Sequence, residues 1–168
     1  MNEATSIVGH IVWQLHAADG SLIREGSVKN LVTAVGDQMY AERGAGISGA
    51  PAAPTGMKLG TGSGAPAKTS TGSALVTYLT NSHQGFDSTY PSSALNGSSR
   101  RVTYRATFGA GKATTASAIT EVVIVNESLT DATSASAATI ARGLITGVGS
   151  KGSGETLTIT WTHDILGA

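Results

Sequence analysis

The C-terminal segment carries the strongest structural signal in the chain. From Thr156 to Leu166, apolar and polar side chains alternate almost without a break, and neither glycine nor proline interrupts them. Successive side chains of a strand point to opposite faces of a sheet. The alternation therefore predicts a long strand with a threonine-rich face and an opposite, core-facing side formed by Leu157, Ile159, Trp161, His163 and Ile165.

The composition favours many short strands joined by turns. Only 13% of the 168 residues are charged, whereas glycine alone occupies 22 positions. A chain of this length can bury a sizeable core, so we predict a single domain over residues 1–168. Zero net charge argues against a nucleic-acid partner and against a polybasic membrane-surface protein. The absence of cysteine excludes disulfides, cysteine-ligated zinc and a thiol nucleophile.

The N-terminal region predicts a β-hairpin. Residues 7–15 alternate between apolar and polar side chains, and residues 22–28 form a second strand-like run. Between them lies Asp19-Gly20, a dipeptide typical of tight turns.

A short helix is predicted directly after this hairpin. Asn30 is a suitable N-cap, and the apolar residues that follow it recur at helical spacing, namely Leu31, Val35 and Met39. Glycines at positions 44 and 46 end the pattern. We therefore predict one helix near residues 31–42.

Two long segments rich in small and polar residues predict irregular loops at about 44–73 and 81–99. The first contains a short apolar run, 57–60, that is typical of a strand. Residues 74–80 between the two loops fit either a strand or two helical turns.

The remaining strand signals lie in the second half of the chain. From Arg100 to Phe108 the alternation predicts a half-buried strand, and the dense apolar run 119–125 predicts one that is buried on both faces. Residues 139–145 predict a further strand, with 147–154 as its exit loop. With no alternation of strands and helices, the pattern predicts an all-β fold, a two-sheet sandwich of jelly-roll or immunoglobulin-like type.

Motifs for catalysis or nucleotide binding are incomplete. Residues 62–69 approach a P-loop, but Ala67 stands where glycine must precede the lysine, and Pro66 removes an amide donor. The loop 109–113 departs further, because Ala113 lacks the hydroxyl that binds magnesium. No Gly-x-Ser-x-Gly elbow lies between a strand and a helix. We therefore predict a protein that is not an enzyme and needs no cofactor.

The four histidines lack the close spacing of a zinc site. His10 and His16 are predicted on the outer face of the first strand, and His83 in a loop. His163 faces inward, as is typical of a hydrogen-bonded core or interface histidine. We predict no metal site.

Arginines on the predicted strand that begins at Arg100 suggest a candidate contact surface. Arg101 and Arg105 point outward, either as a solvated edge that discourages strand addition or as bidentate partners for carboxylates of a neighbouring subunit. The other candidate interface residues lie on the threonine-rich face of the last strand: Thr158, Thr160 and Thr162.

Segments spread over most of the chain resemble a widespread group of small structural proteins encoded by tailed bacteriophages. The resemblance rests on Lys29-Asn30-Leu31-Val32-Thr33 with Gly36, Ala53 to Gly62 with Ala65-Pro66, Val102 to Phe108, Ala118 to Val122, Ala141-Arg142 and Lys151 to Thr162. It implies a non-enzymatic virion component on a β-sandwich, made in the host cytoplasm. No catalytic residues accompany this family.

Similar proteins occupy two kinds of position in the particle. Some are head decoration or cement proteins, which would make the major capsid protein the partner and a homodimer or homotrimer the expected assembly. Others are tail-fibre or tail-associated proteins, and a receptor-binding module of that kind requires exposed loop aromatics. The candidates for those aromatics are Tyr78, Phe86 and Tyr90.

Overall fold

The computed structural model describes residues 7–166, and antiparallel strands dominate it. Strands take up 49% of the chain, and they form one curled sheet of nine strands accompanied by one short α-helix, which confirms the all-β class. In chain order the elements are β1 (Ile7–His16), β2 (Leu22–Val32), α1 (Ala34–Gly44), β3 (Gly56–Gly60), β4 (Gln84–Gly85), β5 (Ser92–Asn96), β6 (Ser99–Phe108), β7 (Thr115–Val125), β8 (Thr139–Lys151) and β9 (Thr156–Leu166).

The last strand, β9, lies inside the sheet and is paired with a strand on each side. The strand order is β4-β3-β7-β8-β2-β1-β9-β6-β5, so the N-terminal hairpin β1–β2 is confirmed and β9 is inserted between β1 and β6. Trp161 pairs with Ile11 on one side and with Tyr104 on the other. These three side chains are buried because all of them lie on the same face of adjacent strands.

The sheet divides into two parts, which share one core. We call β2, β1, β9, β6 and β5 the β9 half, and β4, β3, β7 and β8 the β7 half. They join where Leu31 and Val32, at the end of β2, pair with Arg142 and Ala141 of β8. Apolar side chains from both halves form one buried cluster.

A close contact joins β8 of the β7 half to β1 of the β9 half. A Cβ atom on Gly143 of β8 would lie 2.3 Å from Cδ1 of Ile11 in β1, so only glycine leaves room there for the isoleucine. The curl of the sheet thus brings β8 across the inner face of β1.

The predicted helix start is wrong by about three residues. β2 continues to Val32 because Leu31 and Val32 form the ladder with β8, and Thr33 rather than Asn30 caps α1. The Thr33 hydroxyl accepts a hydrogen bond from the Gly36 amide at 3.1 Å and donates one to the Thr139 carbonyl at 2.6 Å. The cap therefore also ties the helix to the β7 half.

The loop predictions are correct in part. The short strand within 44–73 is confirmed as β3, whose residues are all buried. The second loop, 81–99, is wrong because it contains β5 and the two-residue β4. The segment 74–80 is neither a strand nor a helix. Tyr78 forms an isolated bridge with Gly60 of β3, and Leu75 packs on Val123 and Val125 of β7.

The predicted exit loop at 147–154 is also wrong, because β8 runs on to Lys151. Its pairing with β7 shifts register between Glu121 and Ile119, and Gly147 and Gly149 have φ of 87° and 70°. Glycine adopts this left-handed conformation without steric cost, so the strand bends and continues.

The prediction that 119–125 is buried on both faces holds from Glu121 to Val125.

Candidate assembly surface

The outward side chains of three adjacent strands form one surface, which we call the outer face. It is built by Val8, His10, Val12 and Gln14 of β1, by Thr158, Thr160, Thr162 and Asp164 of β9, and by Arg101, Thr103, Arg105 and Thr107 of β6. Its central row, which we call the threonine strip, consists of Thr158, Thr160 and Thr162. Val12, which is 39% exposed, flanks this row on one side and Arg105 flanks it on the other. Protein interfaces are depleted of charged residues at their centre, and this strip has that character.

The structure brings the three predicted threonines together along this face. Thr158 lies beside Thr107, Thr160 beside Arg105 and Thr162 beside Thr103. Because β9 is flanked on both sides, these threonines are half-buried, and their upper surfaces remain accessible. The Thr162 hydroxyl donates a hydrogen bond to the His10 carbonyl at 3.4 Å.

Arg101 forms a bidentate ion pair with Asp164 of the same chain. Its Nε and Nη2 atoms donate to the two carboxylate oxygens at 2.7 Å each. These hydrogen bonds hold the pKa of Asp164 below its ordinary value and raise that of Arg101. Because the two charges already have partners, covering Arg101 and Asp164 would cost less free energy of dehydration than covering two unpaired charges.

Arg105 also has a partner within the chain. Its Nε lies 3.2 Å from the Asp87 carboxylate, which further accepts hydrogen bonds from the Thr107 amide at 2.9 Å and hydroxyl at 2.7 Å. Both arginines therefore satisfy internal carboxylates, and their strand lies between β9 and β5 rather than at an edge. Their role in subunit contacts remains a prediction.

A buried polar network supports the outer face from below. The Tyr40 hydroxyl of α1 lies 2.8 Å from Nδ1 of His163 and 2.7 Å from the Tyr104 hydroxyl. His163 is completely buried, and burial lowers its pKa to about 4, so the ring is neutral near pH 7. His163 is thus the hydrogen-bonded core histidine that its inward position predicts.

The remaining histidines are separated in space. His10 and His16 lie along the outward side of β1 as predicted, and Nδ1 of His83 lies 3.7 Å from Asp131. Within residues 7–166, no three His, Cys, Asp or Glu side chains cluster as metal ligands. Across the same range, no helix is long and apolar enough to span a membrane.

The glycine-rich loop that approaches a P-loop is held by a buried ion pair. The Glu121 carboxylate accepts hydrogen bonds from the Gly62 amide at 2.6 Å and from Arg142 at 2.6 Å, and Arg142 also donates to the Gly64 carbonyl at 2.6 Å. An amide that a phosphate would need is thus bound to a carboxylate of the chain itself. Only a four-residue 3₁₀ turn, Ser70–Ser73, follows the loop.

Sequence reasoning missed this ion pair. Glu121 and Arg142 are both completely buried, and the carboxylate also accepts hydrogen bonds from the Val76 amide at 2.9 Å and the Thr77 amide at 3.2 Å. Part of the signal was present, since Glu121 is a lone charge inside the run 119–125 that was predicted to be buried, and Arg142 is a lone charge inside the predicted strand 139–145. A buried charge requires a partner, but the pairing register of β7 and β8 decides which one.

No family model, no curated protein and no solved structure matches this chain.

Proposed function

We propose that this chain is a non-enzymatic structural protein of a tailed bacteriophage particle. Its role is that of a head decoration or cement protein, which is made in the host cytoplasm, joins the virion and binds major capsid protein at capsomer junctions. The proposal is supported by the resemblance of the sequence to phage structural proteins. The observation that carries it is the outer face, an uncharged threonine strip bordered by ion pairs that are already satisfied.

The outer face has the properties that a docking surface requires. Threonine hydroxyls retain hydrogen-bonding capacity when covered, and no unpaired charge lies in the strip to be dehydrated. Val8 and Val12 are 42% and 39% exposed and supply apolar area at one side. A capsid surface that covers this strip would gain apolar burial without leaving a charge isolated.

The same proposal includes the finer fold assignment, a two-sheet sandwich. In this interpretation the β9 half and the β7 half are its two layers, and the end of β2 passes from one layer to the other. The single core shared by both halves and the contact between Ile11 and Gly143 support it. A rigid two-layer body with one bare face would resist deformation when bound to a capsid.

The tail-fibre or receptor-binding alternative has less support from the loop aromatics. The ring of Phe86 packs 5.2 Å from that of Tyr104, and the Tyr78 hydroxyl donates to Asp131 at 2.9 Å. Both side chains are therefore engaged within the chain. A receptor-binding site for sugars would need aromatic faces that are free to stack.

Co-sedimentation with purified heads of the encoding phage, from which this protein has been removed, tests the proposal. We expect binding at micromolar concentration, and we expect Thr160→Arg to weaken it at least about tenfold, because it places an unpaired charge in the strip. Ile47→Arg is the matched control, since Ile47 is 54% exposed outside this face.

Two results would contradict the proposal. Absence of the wild-type protein from the head pellet would reject the decoration role. Equal binding by the wild type and Thr160→Arg would reject the outer face as the contact surface.

A further inference from the structure

The β5 strand ends the sheet on the side of the β9 half. It spans Ser92–Asn96, all of its residues are exposed, and among residues 7–166 it pairs with β6 alone. Within the described part of the chain, the opposite edge is the two-residue β4. An edge strand presents unpaired backbone donors and acceptors to any strand that approaches it.

The hairpin geometry determines which backbone groups face outward. Asn96 and Ser99 flank a two-residue turn and are paired, so they form a hydrogen-bonded pair, and this pattern alternates along the strand. The N–H and C=O groups of Ser92, Ala94 and Asn96 therefore point to β6. Those of Ser93 and Leu95 point to the free edge.

The side chains leave this edge open to pairing. Natural edge strands are protected by charged residues, prolines or bulges, and β5 contains none of these. Leu95 is 77% exposed, the highest value for a large apolar side chain in residues 7–166. Pro91 precedes the strand and Gly97 follows it, so the open segment is short.

We infer that two copies of this chain associate by antiparallel pairing of their β5 strands about a two-fold axis at Ala94. In this register Ser93 of one copy lies opposite Leu95 of the other, and their outward groups form a ladder of backbone hydrogen bonds. The two Ala94 residues meet at the axis, where a small side chain is required. The two Leu95 side chains lie diagonally across the seam and cover each other.

Charge is compatible with a second copy as the occupant. Any charged residue at a two-fold axis meets its own copy, and β5 contains no charged residue. Among the described residues, the nearest charge without an ion-pair partner is Arg100 of β6, whose Nε donates to Ser93 Oγ at 2.7 Å. That hydrogen bond holds the Arg100 guanidinium over β5, so the two copies would face each other across the seam. Salt, with a screening length of about 8 Å at physiological strength, weakens their repulsion, and we therefore expect association to strengthen as salt is added.

The contact is small compared with a standard interface, so we expect reversible, concentration-dependent association. It concerns the isolated protein and requires no phage component. If the protein binds heads but stays monomeric, β5 pairing is rejected and the decoration role is not. If it forms the β5 dimer but does not bind heads, the decoration role is rejected and β5 pairing is not.

Cysteine cross-linking tests the register directly, because the chain has no cysteine of its own. Facing residues of a non-hydrogen-bonded antiparallel pair have Cα atoms about 4.5 Å apart, within disulfide range. We expect Ala94→Cys to form a dimer under mild oxidation at least about tenfold faster than Ser92→Cys, since the two copies of residue 92 would lie about 13 Å apart along the strands. Equal rates for the two variants would overturn the proposed pairing.

Sedimentation velocity provides a second readout without cross-linking. We expect the wild type to self-associate at concentrations on the order of 100 µM. Leu95→Asp should remain monomeric, whereas Val76→Asp, at another exposed apolar position, should behave like the wild type. A wild type that stays monomeric, or a Leu95→Asp variant that still dimerises, would overturn the inference.

Discussion

The two halves of the sheet differ in whether their outer surfaces are covered by other segments of the chain. In the β7 half, the chain covers its own sheet, because Val123 and Val125 pack under Leu75, with Tyr78 and Leu129 at the margin. In the β9 half, the corresponding surface carries half-buried threonines and exposed valines with no covering segment among residues 7–166. One half is thus covered by its own chain, whereas the outer surface of the other is left uncovered by residues 7–166 and is the surface that we propose for a partner.

The ion pairs show the same difference. Glu121 and Arg142 of the β7 half have no side-chain exposure, whereas Arg101 and Asp164 of the β9 half are 39% and 18% exposed. The β7 half also buries Lys58, which donates to Glu127 at 3.0 Å and to the Ala132 carbonyl at 2.8 Å. Buried charged side chains therefore hold the covering loops in the β7 half, whereas the ion pair of the β9 half is partly exposed at the surface.

Removing one partner of the buried pair should have the largest effect. Glu121→Ala leaves the Arg142 charge and three backbone amides without their acceptor, so we expect the free energy of unfolding to fall by about 3–5 kcal/mol. The matched change in the exposed pair, Arg101→Ala, should cost less than about 1 kcal/mol. Urea denaturation measures both, and losses of similar size would invalidate the contrast between the halves.

Acid should weaken the β9 half through His163. Its pKa is lowered from 6.5 in the unfolded chain to about 4 in the folded one. The unfolded state therefore binds a proton first, and stability that is complete above pH 6.5 is lost as the pH falls from 6.5 to about 4. The shift corresponds to about 3 kcal/mol.

Urea midpoints across this pH range test the role of His163, with His163→Gln as the comparison. The urea midpoint of this variant should change much less between pH 6.5 and 4 than that of the wild type. The lowered pKa of Asp164 acts separately, because its contribution is present above the ordinary value of 3.8 and is lost only below it. An unchanged slope in His163→Gln would assign the acid sensitivity to other groups.

The contact between the halves should have the smallest effect of the three. Gly143→Ala places a methyl group 2.3 Å from Ile11 Cδ1, so we expect a loss of about 1–3 kcal/mol from overpacking. Ile11→Val removes that carbon and should recover part of the loss in the double variant. Thermal unfolding of the four proteins gives the coupling, and strict additivity would show that the two residues do not meet.

Sequence reasoning succeeded where periodicity was strong. The hairpin and the inward row of β9 are confirmed, because alternating side chains indicate which face of a strand is buried. The dense apolar run 119–125 is confirmed as buried on both faces from Glu121 to Val125. Sequence reasoning failed at β5, whose sequence Ser-Ser-Ala-Leu-Asn has no β-branched or aromatic residue, and which becomes a strand by pairing with β6. The prediction that Asn30 caps the helix also failed. The chain stays in the ladder between β2 and β8 as far as Val32, so the N-cap is Thr33.

By itself, the sequence determined the all-β class, the faces of the long strands and the threonine row of β9, because these depend on which side chains alternate along a local segment. Only the tertiary structure decided that β9 lies between β1 and β6, that Glu121 finds Arg142, that both predicted arginines pair within the chain, and that β5 is the open edge. Those features depend on register between strands distant in sequence, and register is determined by the mutual packing of the whole sheet.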